Sequence, residues 1–149
     1  MKQFEKMIES PIGALTIVSD GENITTLRFG DHTSGFDSCA LLEQAAEELA
    51  EYFAGQRRVF TVPLNAQGTV FQRSVWAALC EIGYGETASY ADIAERIGNP
   101  AACRAVGSAN HCNPIPILIP CHRVIGKNGS LTGYAGGMDV KKILLDLEK

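Results

Sequence analysis

The chain has 149 residues, 46% of them hydrophobic and 20% charged, with a formal net charge of −4. That much apolar side chain can offset the entropy of ordering, so disorder is excluded. The longest apolar stretch, residues 115–119, is broken by Pro116 and falls far short of the ~20 residues of a membrane span.

No apolar run follows Met1-Lys2-Gln3-Phe4-Glu5-Lys6, so a secretory leader is not expected. Five cysteines, an odd number with no C-x-x-C pair, point to reduced thiols in the cytoplasm. Charge is unevenly spread. Residues 1–70 carry five Lys/Arg against ten Asp/Glu, and residues 71–149 carry eight against seven. From Arg96 to Met138 there are four cations and no acid, a stretch that could face phosphate without repelling it.

In chain order, residues 14–19 and 24–29 read as strands rich in Thr, Ile, Val and Leu, joined at Asp20-Gly21. Residues 30–38 are a polar loop. Residues 41–53 set Leu42, Ala45, Ala46, Leu49 and Phe53 at three- and four-residue spacings, an amphipathic helix stopped by Gly55. A short strand is expected over 58–62, and residues 64–68 read as a linker. The chain thus divides into a small α+β unit, 1–65, and a helical unit, 70–149.

Thr69 and Gln72 form a capping-box pattern opening a helix whose inner face is Phe71, Val75, Ala78, Leu79 and Ile82. Ser89 can cap a second helix, 90–97. Gly98-Asn99-Pro100 then suits a C′ glycine, a new N-cap and a Pro at N1, the tight junction of a helix-turn-helix. An ordinary αα-corner would look the same. The next helix, 101–109, is built of small residues with Arg104 as its one long side chain. Residues 124–134, with Lys127-Asn128-Gly129 at the tip, read as a hairpin wing. Asp139 can cap a last helix with Val140, Ile143, Leu144 and Leu147 inward.

The densest chemistry lies in Asn113-Pro114-Ile115-Pro116-Ile117-Leu118-Ile119-Pro120-Cys121-His122-Arg123-Val124. Three prolines make a stiff, largely extended segment that would deliver a thiol to the floor of a pocket. Apolar surroundings raise a thiol's pKa, so Cys121 needs a base or a cation, and His122 and Arg123 are at hand. Neighbouring side chains of an extended strand point apart, so a sharp turn or a bridging water is required. His122 needs an orienting acceptor, for which Glu148 is a candidate. Cys103, Cys112, Cys121, His111 and His122 fit no zinc-knuckle spacing, so no metal and no cofactor are expected. Cys39 and Cys80 read as packing residues.

The segment Ile119-Pro120-Cys121-His122-Arg123-Val124, with Asn113-Pro114 upstream, resembles the active-site motif of the O6-alkylguanine-DNA alkyltransferases. Phe71-Gln72 with Val75-Trp76, Gly85-Glu86-Thr87 with Ser89-Tyr90, Gly98-Asn99-Pro100, Arg104-Ala105-Val106-Gly107 and Gly133-Tyr134-Ala135-Gly136-Gly137 follow the family pattern in order. The likeness is close over roughly 70–148, and covers the N-terminal unit only in outline.

The resemblance implies an α+β chain, an N-terminal ribonuclease-H-like domain followed by a C-terminal winged helix-turn-helix that enters the minor groove of double-stranded DNA. It implies a monomer that flips an alkylated base into a pocket. The alkyl group of O6-alkylguanine, and of O4-alkylthymine, then passes irreversibly to Cys121.

By the same resemblance His122 is the base acting through water, Glu148 orients it, and Asn113 supports the turn. Tyr90 helps rotate the nucleotide, Arg104 fills the gap left by the base, and Tyr134 walls the pocket. The carbonyls of Cys121 and Val124 accept from the guanine amine. Asn99, Ser108 and Lys127 contact phosphate or sugar, and Arg123 is a structural ion-pair member. Ala135 lacks a hydroxyl that some members place near O6, and Gly83 stands where a proline is frequent. The alternative is a base-flipping lesion binder without chemistry; the family's sensors that lack the nucleophile carry Trp in place of Cys121.

Overall fold

A computed structural model describes residues 2–149 except Ser130, Thr132 and Ala135. The chain forms two compact units, Met1–Gln67 and Gly68–Lys149. No helix among the described residues is long and apolar enough to cross a membrane.

The first unit is an antiparallel three-stranded sheet, β1 (Phe4–Ile8), β2 (Leu15–Ser19) and β3 (Ile24–Phe29), in the order β1-β2-β3. The β2–β3 turn forms as the sequence indicated: the Asp20 carboxylate accepts from the backbone N–H groups of Glu22 and Asn23. Gly21 takes a positive φ there, which glycine adopts without strain. Helix α1 (Ala40–Phe53) packs on β1 and β2 through Leu42, Ala45, Leu49 and Tyr52.

The expected strand over 58–62 does not form. Glu48, buried on the inner face of α1, accepts from both the N–H and the hydroxyl of Thr61, so this stretch is tied to the helix instead of a ladder. The chain meets the sheet at Leu64, which bridges Ile24 in parallel.

The second unit is helical. Helix α2 (Val70–Leu79) opens with the full Thr69/Gln72 capping box, a device contributing about 1 kcal/mol. Its inner face is Val75, Trp76, Ala78 and Leu79, and the Trp76 indole N–H donates to the Ala109 carbonyl at 2.8 Å. Short strand β4 (Ala88–Ser89) leads into α3 (Tyr90–Arg96), where Ser89 and Asp92 complete a second capping box. Gly98, at φ +78°, ends α3.

The next helix does not start at Asn99-Pro100. Residues 99–102 make a turn closed by the Ala102 N–H on the Asn99 carbonyl, and α4 runs Cys103–His111 with Ala102 as its N-cap. Helix α4 packs on both α2 and α3. Strand β5 (Val124–Ile125) pairs in parallel with β4. The expected hairpin over 124–134 has no antiparallel ladder among the described residues.

Helix α5 (Met138–Leu147) is capped at Gly137, not Asp139, and the inward stripe differs from the expected one. Lys141 and Leu144 are buried, whereas Ile143 is exposed.

Candidate active site

The segment before Cys121 is pinned, and it is not simply extended. The Asn113 side chain accepts from the Ile115 N–H at 3.0 Å and donates to the Ile119 carbonyl at 2.9 Å, clamping the loop across its neck. Between those points Ile117 sits at φ +73°, buried. A β-branched residue in the left-handed region costs on the order of 1–3 kcal/mol and persists only where surrounding contacts hold it. Pro120 (φ −80°, ψ 63°) is the centre of an inverse γ-turn closed by the Cys121 N–H on the Ile119 carbonyl at 2.7 Å. The chain then winds into a single 3₁₀ turn, Cys121–Arg123. This is the sharp turn that adjacent Cys and His side chains need to work on one site.

Behind the turn lies a closed relay. His122 is fully buried, and its Nε2 lies 2.7 Å from Glu148 Oε2. The same carboxylate accepts from Arg123 twice, Nε to Oε1 at 2.8 Å and Nη2 to Oε2 at 3.0 Å. The guanidinium also donates to the Ile82 carbonyl at 2.7 Å and lies over the Tyr84 ring at 5.9 Å. A carboxylate can only accept, so Nε2 carries the imidazole proton and Nδ1 keeps its lone pair. Among the described residues Nδ1 has no hydrogen-bond partner. Burial holds the His122 pKa below its usual value, against the upward pull of Glu148, so the ring is a neutral base at pH 7.

Cys121 is only 3% exposed. Burial pushes its thiol up to about 11, while hydrogen bonds from Asn113 and Tyr134 and the Lys141 charge act in the opposite direction. Such a thiol is inert until a base removes its proton.

Lys141 was not identified from the sequence, although a signal exists: Lys141, Leu144 and Glu148 recur at i, i+3 and i+7 on the face that turns inward. Its ammonium is fully buried and donates to the Val124 carbonyl at 2.6 Å. Asn110 was missed too. It is buried on α4, with its amide 3.5 Å from the Cys121 carbonyl.

The fold thus gathers Asn113, Cys121, His122, Glu148 and Tyr134. The Val124 carbonyl, expected to meet a guanine amine, already holds Lys141, leaving one lone pair for a ligand. Tyr90, half-buried, opens α3, and a Cβ at Gly107 of α4 would lie 3.8 Å from its ring, so the small residue leaves room for the aromatic. Arg104 and Ser108 are exposed on α4, Asn99 is exposed in the preceding turn, and Lys127 is exposed after β5. None of these four is drawn into the Cys121 cluster. Ala135 lies outside the described residues. No group of three or more His, Cys, Asp or Glu among the described residues could hold a metal ion.

Residues 4–66 match the family model of the 6-O-methylguanine DNA methyltransferase ribonuclease-like domain, and residues 70–149 that of its DNA binding domain. A methylated-DNA–protein-cysteine methyltransferase of Methanosarcina acetivorans is 48% identical over 149 residues, covering 95% of this chain and 96% of its own. The O6-methylguanine methyltransferase of Mycobacterium tuberculosis superposes with a TM-score of 0.91 at 47% identity, over 99% of this chain and 93% of that one. The M. tuberculosis OGT in complex with DNA gives 0.91 at 49% identity, over 98% and 92%.

Proposed function

The chain belongs to the 6-O-methylguanine DNA methyltransferase family, and from that premise we propose that it repairs DNA by direct reversal, with Cys121 as the acceptor of the alkyl group. The observation that carries the assignment to this sulfur is the 2.7 Å His122–Glu148 contact within the turn that bears it. Nδ1 of His122 takes the thiol proton, directly or through one water, and Glu148 and Arg123 hold the resulting imidazolium in place. The sulfur attacks the alkyl carbon: an S–C bond forms as the C–O6 bond breaks. The departing guanine recovers a proton from the imidazolium, and the product is unmodified base and a thioether. Nothing in the relay reverses a thioether, so one chain performs one transfer.

With Cys121 buried, its sulfur is reached by a base swung out of the duplex. Helix α4 supports close approach of DNA, since Ala105 and Gly107 leave its surface low and Arg104 stands above them. Tyr90 and Tyr134 suit the walls of the base pocket. Asn99, Ser108 and Lys127, all exposed, suit phosphate contacts. The free cysteines fit a reducing compartment, and the reading assigns the chain to the cytoplasm, acting as a monomer.

The test is the mass of the intact chain after incubation with excess O6-methylguanine duplex. Gain of one methylene, on the peptide containing Cys121, is the expected result, and Cys121→Ser should stay unchanged. Binding without mass gain would identify a lesion binder instead. Arg104→Ala should slow repair of duplex DNA more than reaction with free O6-benzylguanine, as stopped-time assays of the alkylated chain would show; equal losses would remove Arg104 from base extrusion.

A further inference from the structure

We propose that Asn110 is a base-recognition residue of the transfer site: its carboxamide oxygen accepts the exocyclic amine of a flipped O6-alkylguanine. The inference rests on the reading above that Cys121 takes an alkyl group from such a base.

Two buried asparagines flank the Cys121 turn, and they are satisfied very differently. The Asn113 carboxamide is bound at both ends, at 2.9 and 3.0 Å, as a structural clamp requires. Asn110 is 4% exposed on α4, yet its amide nitrogen reaches the Cys121 carbonyl only at 3.5 Å, the outer limit of a hydrogen bond. Its Oδ1 is buried and, among the described residues, accepts from nothing. A carbonyl oxygen can only accept, so the nitrogen faces Cys121 and the orphan oxygen is turned away from that carbonyl. Buried acceptors without donors are rare, because their lost hydration goes uncompensated. One held beside a reactive sulfur suits a donor that arrives with the substrate.

The carbonyls of the turn are less open to such a donor. The Cys121 carbonyl accepts from the Val124 N–H and also faces the Asn110 amide. The Val124 carbonyl holds the Lys141 ammonium at 2.6 Å. Each has two lone pairs, so the first is filled and the second half filled, whereas Asn110 Oδ1 has both to offer. On the pairing edge of O6-alkylguanine the exocyclic amine is the donor, since alkylation at O6 leaves N1 without its hydrogen. The Asn110 carboxamide lies against the residue that receives the alkyl group, so a base presenting its alkyl carbon to the sulfur brings its amine to the same enclosure.

The experiment times alkylation of the full chain by two duplexes, one carrying O6-methylguanine and one O6-methylhypoxanthine, the same base without the amine. The native chain should react faster with the first. In Asn110→Leu, close in shape and unable to accept, the ratio of the two rates should fall about tenfold, the usual worth of one buried hydrogen bond. Asn110→Asp, which keeps an accepting oxygen, should hold the native ratio. Equal rates in the native chain would overturn the proposal, and that measurement needs no variant to fold. So would a ratio that survives in Asn110→Leu because both rates fall together, the mark of a purely structural residue. If native Cys121 gains a methyl group from O6-methylguanine while the ratios fail, the role of Asn110 falls alone; if native Cys121 stays unmodified by either duplex, the repair reading itself falls.

Discussion

Replacing Glu148 by Ala is expected to destabilise the second unit by about 3–5 kcal/mol, the usual cost of stranding one partner of a buried ion pair. The carboxylate accepts two hydrogen bonds from Arg123 and one from His122, all out of solvent. Without it a guanidinium remains buried with the Ile82 carbonyl and the Tyr84 ring as its remaining partners among the described residues, and His122 loses the acceptor that fixes its tautomer. Urea denaturation should show the midpoint falling at unchanged slope. Glu148→Gln, which keeps the shape but can offer only one accepting oxygen, should recover part of the stability and little of the transfer rate. A Glu148→Ala chain as stable as the native one would show that Arg123 reaches water, contrary to the enclosed geometry described.

The second large effect concerns the base. His122→Ala should slow alkyl transfer to free O6-benzylguanine by about 10²–10⁴-fold, the range general-base catalysis supplies. The pH profile should change with it. In the native chain burial keeps the imidazole neutral below its usual titration range, so the rate should stay level through neutrality and fall only on the acid side of ~6.5. Without the imidazole, the thiol must ionise unaided against a pKa of about 11. The residual rate should then climb about tenfold per pH unit across the neutral and mildly alkaline range. A flat profile in the variant would mean that another group takes the proton.

The same shift bears on stability. The folded His122 value lies below the unfolded one, so as pH drops through ~6.5 the unfolded chain binds the proton first and stability declines, the loss levelling off once the folded value is passed.

Local chemistry made much of this legible in the sequence. Thr69 with Gln72 and Ser89 both cap the helices they precede, because a capping box needs only residues three apart. The hairpin at Asp20-Gly21 is equally local. The proline-framed Cys121-His122 pair marks itself by composition. What escaped depends on partners distant in sequence. Residues 58–62 have strand-like content, yet the buried Glu48 captures Thr61 across thirteen positions. Lys141 was not singled out on α5 because nothing close in sequence announces the Val124 carbonyl it reaches. The register of α4 was displaced since Pro100 fits a first helical turn and a preceding turn equally well. The left-handed Ile117 could not have been read at all: its residue type argues against the conformation, which is held in a loop closed by the Asn113 clamp and by the Ile119 N–H on the Ile115 carbonyl.

That clamp has an evolutionary price. Selection for thermal robustness normally relaxes strained backbone, and a substitution permitting an easier φ at position 117 would be among the first candidates a stability screen rewards. Relaxation there would loosen the spacing between Asn113 and Pro120 that fixes where the sulfur stands. Hardiness and repair therefore pull this segment in opposite directions, and variants evolved for heat tolerance alone should accumulate losses of alkyl transfer around Ile117 before they show them elsewhere in the unit.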